Sequence, residues 1–211
     1  MDTFLLLSFI STYSLAIVNL LIVFMCFYSN QRKVYMYLGY GIFFYACMTN
    51  YIMKSFFTTN SNKIFLRPEG CVLCDIGKDT NPIGMPSGHS MTTGFIIGFL
   101  YHYLNKKDYN KVLYSCLLIA FSRYLCKCHS LLQIFLGLTI GILFSTIFHS
   151  ILTKKQNYKI INLLFHGILF YISTISTSNM KNLYSCFSIF NILTIMWKKK
   201  STIIINVPST T

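Results

Sequence analysis

Residues Gly84–Leu100 read "GMPSGHSMTTGFIIGFL". The first half carries a histidine, hydroxyls and glycines, and the second half is an apolar run. Groups that suit an oxyanion therefore stand at the mouth of a hydrophobic segment. The rest of the chain has the same grain. It is 54% hydrophobic and only 11% charged over 211 residues, where an average soluble domain carries about 25% charged residues. The apolar residues come in repeated blocks near the ~20 residues a helix needs to cross a bilayer. This patterning predicts an all-α, polytopic transmembrane helical bundle of about six or seven spans.

The blocks lie at roughly 4–27, 35–57, 90–104, 112–126, 131–152, 160–176 and 183–197. The third looks short unless the preceding loop supplies a turn. The first follows "MDT" with neither a basic stretch nor a small-residue cleavage site, and reads as a retained span. Residues 1–211 form a single membrane-embedded domain, with a short tail over 198–211.

The net charge of +13 does not imply nucleic acid, because the lysines and arginines sit mainly between apolar blocks. "NQRK" after the first block, "NKKDYNK" after the third, "TKKQNYK" after the fifth and "WKKK" after the seventh are basic. The intervening connectors, including the long loop 58–85, have little net charge. The alternation predicts an outside N-terminus, an inside C-terminus and a long loop on the non-cytoplasmic face. Arg67, the "PSGH" cluster and His129 would then emerge on one side of the membrane.

Most of the eight cysteines lie in apolar blocks, where cysteine behaves as a small hydrophobe. Cys71 and Cys74 ("CVLC") stand in the long polar loop. They read as a disulfide or as unpaired thiols, and a zinc site would need a second ligand pair.

Three polar groups carry the chemistry. In "FLRPEG", Arg67 has a planar fork suited to phosphate oxygens, and Lys63 four residues earlier would share its face on a helix. Taken alone, the two read first as interfacial cations that snorkel, and second as an anion site. In "PSGHS", Pro86 suits a helix start and places Ser87, Gly88, His89 and Ser90 in its first turn. That turn is an anion site by its free N–H groups and dipole, or simply a cap. Gly88 allows close backbone approach, Ser87 adds a hydroxyl, and the imidazole of His89 can pass a proton near neutral pH. In "SRYLCKCH", Arg123 and His129 would face apart on one helix, so a reversal at 126–128 is needed to bring them together. An intramembrane arginine is costly and marks a functional site by default. His102, His149 and His166 lie away from this end and take packing or interfacial roles.

The ordered set "RP", "PSGH" and "SR-x5-H" resembles the signature of the type 2 phosphatidic acid phosphatase (lipid phosphate phosphatase) superfamily. The resemblance covers about residues 54–141. It implies that His129 is the nucleophile and that His89 protonates the leaving oxygen. Arg123, Arg67, Ser87 and Gly88 would hold the phosphoryl oxygens. The family usually has a lysine where this chain has Asn60, and Lys63 is the substitute one turn later. Many members carry an aspartate where this chain has Gln133, whose carbonyl can accept the imidazole N–H instead. Glutamine there is similar to dolichyl diphosphate phosphatase and glucose-6-phosphatase-like members.

The resemblance implies an integral membrane phosphatase acting on a lipid phosphate or polyprenyl diphosphate through a phosphohistidine, with no metal or other cofactor. Its partners would be the substrate lipid and the bilayer, with no nucleic acid. An endomembrane such as the endoplasmic reticulum is expected over the plasma membrane. A phosphotransferase on the same fold and a non-catalytic lipid-binding homologue are the alternatives.

Overall fold

The structure, a computed structural model, describes residues 3–42, 63–69 and 83–153. The chain divides into two units, 1–157 and 158–211, and the second lies outside the described residues. So do the sixth and seventh predicted spans, most of the second, Asn60, and both cysteines of "CVLC".

Five α-helices are described: α1 (Thr3–Tyr28), α2 (Arg32–Gly41), α3 (Gly88–Leu100), α4 (Lys106–Leu125) and α5 (Leu131–Thr153). The first and last match their apolar blocks to within a residue or so, because uninterrupted apolar runs leave nothing else for the backbone to do. α4 begins at Lys106, six residues before its block. Asn105 caps it, accepting from Asp108 N at 3.0 Å while its Nδ2 donates to the Asp108 carboxylate at 2.9 Å. This reciprocal cap outweighs the polarity of "KKD". α3 starts abruptly at Gly88, and the loop before it is not helical, so no extra turn lengthens it. Its 13 residues rise only about 20 Å, less than the ~30 Å hydrocarbon core.

Among the described residues one helix, α5, is long and apolar enough to cross a membrane by length and composition. Large apolar side chains on the outside agree with a lipid setting: Leu20 and Leu21 on α1, Tyr114 and Leu118 on α4, Phe135 and Leu143 on α5 are all exposed. In water such a belt would be costly.

α3 and α5 form the central pair, and small residues at four-residue spacing let them touch. Ser90, Gly94 and Gly98 on α3 meet Gly137, Gly141 and Ser145 on α5. A Cβ on Gly94 would collide with the Leu138 carbonyl oxygen, and one on Gly141 with the Met91 carbonyl oxygen. Between apolar helices in lipid, such close backbone approach replaces the hydrophobic drive as the source of association. Numbers rise together along the seam, so the two helices run parallel. Phe95, Phe99 and Phe148 close the seam beyond it, with ring centroids 5.8–6.0 Å apart. α4 returns antiparallel. The starts of α3 and α5 and the end of α4 therefore share one end of the bundle. Lys106, Lys107 and Lys111 lie at the other, where the N-terminal turn of α2 brings Tyr35 within electrostatic reach of Asp108.

Candidate active site

The end of α4 is built first. Ser122 and Arg123 are buried, Arg123 at 1% exposure. Lys127 adopts the left-handed conformation, with φ 55°. Cys128 N then donates to Arg123 O at 2.9 Å, and Lys127 N to Tyr124 O at 2.8 Å. These are the two bonds of a Schellman stop, here with lysine where glycine is usual. His129 N also donates to Arg123 O, at 3.2 Å. The chain thus reverses over 126–128, and the backbone of Arg123 holds the backbone of His129.

α5 begins at once with a capping box. Ser130 Oγ accepts from Gln133 N at 3.3 Å, and Gln133 Oε1 accepts from Ser130 N at 3.2 Å. The same Oε1 lies 3.1 Å from His129 Nδ1. An amide oxygen can only accept, so Nδ1 carries the proton and Nε2 keeps the lone pair in the neutral ring. His129 and Gln133 are 2% and 1% exposed.

The other end of the Gln133 amide reaches the "RP" segment. Nε2 donates to Ile64 O at 3.1 Å and to Leu66 O at 2.8 Å. Leu66 pairs with Ile83, and Gly84 N donates to Phe65 O at 2.8 Å. Gly84 has no room for a side chain, since a Cβ would stand 2.5 Å from Gln133 Oε1. Ser87 N donates to Gln133 O at 3.2 Å, which sets the first turn of α3 against that of α5. One glutamine therefore ties all three polar segments together, with both amide protons and the amide oxygen engaged.

Ser87 is the N-cap of α3 and fully buried. Its oxygen accepts from Ser90 N at 3.4 Å and from Ser90 Oγ at 3.0 Å, leaving its own hydroxyl proton to donate. His89 sits half-buried in the first turn. Arg67 Nη1, His89 Nε2 and Arg123 Nε are each shut off from solvent. Two guanidinium groups, a helix start and two imidazoles suit an anionic ligand with several oxygens. Among the described residues no cluster of three histidine, cysteine or acidic side chains is placed to hold a metal ion.

One expectation changes. Lys63 and Arg67 do not share a helical face, because Lys63–Phe65 is a single 3-10 turn and Arg67 follows it in irregular backbone. Pairing of Leu66 with Ile83 ends the helix before Pro68 can; Lys63 is left exposed while Arg67 is half-buried. Cys128, in the reversal just before His129, is disulfide-bonded. The positions missed in the sequence are Ser130, Gly84 and the glycines of the seam. The pattern S-x-x-Q before an apolar run was a visible signal for Ser130, but nothing local marked Gly84.

The family model of the PAP2 superfamily matches residues 34–157. That range holds all three polar segments and α3 to α5. No curated protein and no solved structure is significantly similar to the chain.

Proposed function

Since the chain belongs to the PAP2 superfamily, whose membership supports a membrane-associated phosphatase acting on lipid phosphates, we propose that it cleaves a lipid monophosphate or polyprenyl diphosphate through a phosphohistidine on His129. The observation that carries this reading is the 3.1 Å contact of His129 Nδ1 with Gln133 Oε1. It leaves Nε2 as the nucleophilic nitrogen at the end of the bundle where two arginines and the start of α3 also stand.

In the first step His129 Nε2 forms a bond to phosphorus, and the bond from phosphorus to the leaving oxygen breaks. His89 gives its proton to that oxygen. In the second step His89 takes a proton from water as the water oxygen bonds to phosphorus, and the P–N bond breaks. Arg123, Arg67, the Ser87 hydroxyl and the Gly88 N–H hold the phosphoryl oxygens while charge builds on them. The guanidinium groups serve the charge-neutralising role that metal ions serve in other phosphoryl-transfer sites. Gln133 orients the nucleophile; Lys63, being exposed, contributes long-range attraction at most.

The site lies at the bundle end opposite Lys106, Lys107 and Lys111. With the basic end cytoplasmic, catalysis takes place on the lumenal or external face, in an endomembrane such as the endoplasmic reticulum. The lipid tail stays in the bilayer while its headgroup meets the start of α3.

The test is phosphate release by detergent-purified protein, with chelator present, from phosphatidate, a polyprenyl diphosphate and glucose 6-phosphate. Release from either lipid is expected to fall at least ~10³-fold in His129→Ala. Equal release by wild type and variant would end the proposal, and transfer to an added lipid alcohol instead of water would redirect it to a phosphotransferase.

A further inference from the structure

Five cations share the bundle end opposite His129. Arg32 and Lys33 open α2, while Lys106, Lys107 and Lys111 lie on the first two turns of α4, and all five are exposed. Tyr35 stands one turn after Arg32 and within electrostatic reach of Asp108, so the two groups of cations are neighbours. Asp108 is the one acidic residue at this end among the described residues. Its carboxylate is already engaged, by Lys111 Nζ at 3.0 Å and by Asn105 Nδ2 at 2.9 Å. Lys33, Lys106 and Lys107 have no ion pair among the described residues.

The exposed apolar side chains run straight into this surface. Phe24 and Phe27 on the last turns of α1 are exposed, and Tyr28 follows them at 73% exposure. Arg32 Nε then donates to Ser29 O at 3.3 Å, which holds the guanidinium close to the end of α1. Tyr101, just past α3, is 64% exposed. Rings with an apolar body and a polar tip belong at headgroup level. Cations beside them stand against lipid phosphates, not in bulk water. We propose that Arg32, Lys33, Lys106, Lys107 and Lys111 form a docking surface for anionic phospholipid headgroups of the adjoining leaflet. Four of the five are lysines, which act as point charges and recognise headgroup charge more than headgroup shape. The proposal rests on the membrane setting of the bundle and is independent of what His129 does.

The experiment uses the full chain in detergent, mixed with equal amounts of phosphatidylserine and phosphatidylcholine and read by native mass spectrometry. The chain is expected to retain phosphatidylserine over phosphatidylcholine, with phosphatidylglycerol equal to phosphatidylserine and the preference weakened by salt. Lys106→Gln with Lys107→Gln leaves the Asn105 cap and the Asp108–Lys111 pair in place. It should lower the preference about 25-fold, or about fivefold for each cation removed. Lys63→Gln, exposed at the other end, should leave it unchanged. In melting curves phosphatidylserine should protect the wild type more than the double variant. No preference in the wild type, or an equal fall per charge in Lys63→Gln, overturns the proposal. So does displacement of the lipid by orthovanadate, which would place it at the catalytic end. Displacement by inorganic phosphate at equal concentration, or by polyglutamate, would assign the surface to soluble anions or to an acidic protein instead. Loss of the preference with phosphate release intact strikes this surface alone; a retained preference without phosphate release strikes the phosphatase reading alone.

Discussion

Gln133 engages His129, Ser130, Ile64 and Leu66 through its side-chain amide, and these bonds give a physical reason for an amide at this position. A carboxylate could accept from His129 and Ser130, but it has no proton for Ile64 O and Leu66 O. Gln133→Glu keeps the length and the acceptor, and sets negative oxygens against two carbonyls. The expected result is a loss of about 1–3 kcal/mol in stability, the usual cost of stranding buried polar groups. The "RP" segment should shift with it, and kcat should fall by about 10²-fold. Thermal unfolding in detergent and turnover of one lipid phosphate measure the two effects. A variant with full activity would mean that the link to Ile64 and Leu66 does not position Arg67.

At the scale of elements, the α3–α5 seam is what brings two helix starts to one place. Gly141→Ala puts a methyl into the Met91 carbonyl oxygen, where backbone must move. Overpacking of this kind costs about 1–3 kcal/mol. Leu143→Ala, two positions on and facing outward, should change detergent stability by no more than about 0.5 kcal/mol. Melting curves of the two variants decide it, and equal effects would remove the seam as the organising contact. The elements also show what a sequence can reveal. α1 and α5 were legible because apolar length alone defines them. The start of α4 was not legible from hydropathy, since its first turn is charged, although "NKKD" spelled a cap. The 3-10 turn at Lys63–Phe65 was hidden for a different reason: pairing of Leu66 with Ile83 and two bonds from Gln133, far along the chain, override the local preference. The reversal between Arg123 and His129 was demanded by the chemistry, but its left-handed lysine was not foreseeable from the residue type.

Across the whole molecule the decisive property is polarity from end to end. α4 carries Lys106, Lys107 and Lys111 at its start and Arg123 in its last turn, and its 20 residues rise about 30 Å, one hydrocarbon thickness. The basic end and the end that holds Arg123 and His129 are thus separated by a bilayer's depth if the bundle stands upright. The orientation proposed above takes the basic end as cytoplasmic, and in it the exposed apolar side chains of α1, α4 and α5 would form the lipid-facing belt. Single cysteines at Lys107 and Ile64, both exposed positions, turn this into a measurement. In sealed endoplasmic reticulum vesicles with the cytoplasmic face outward, an impermeant maleimide should label Lys107→Cys at once and Ile64→Cys only after permeabilisation. The reverse order would put the site in the cytoplasm and break the link between the basic connectors and orientation. Labelling of both from one side would mean that the bundle does not span the bilayer, and that the polar cluster at the mouth of α3 meets its lipid from the surface.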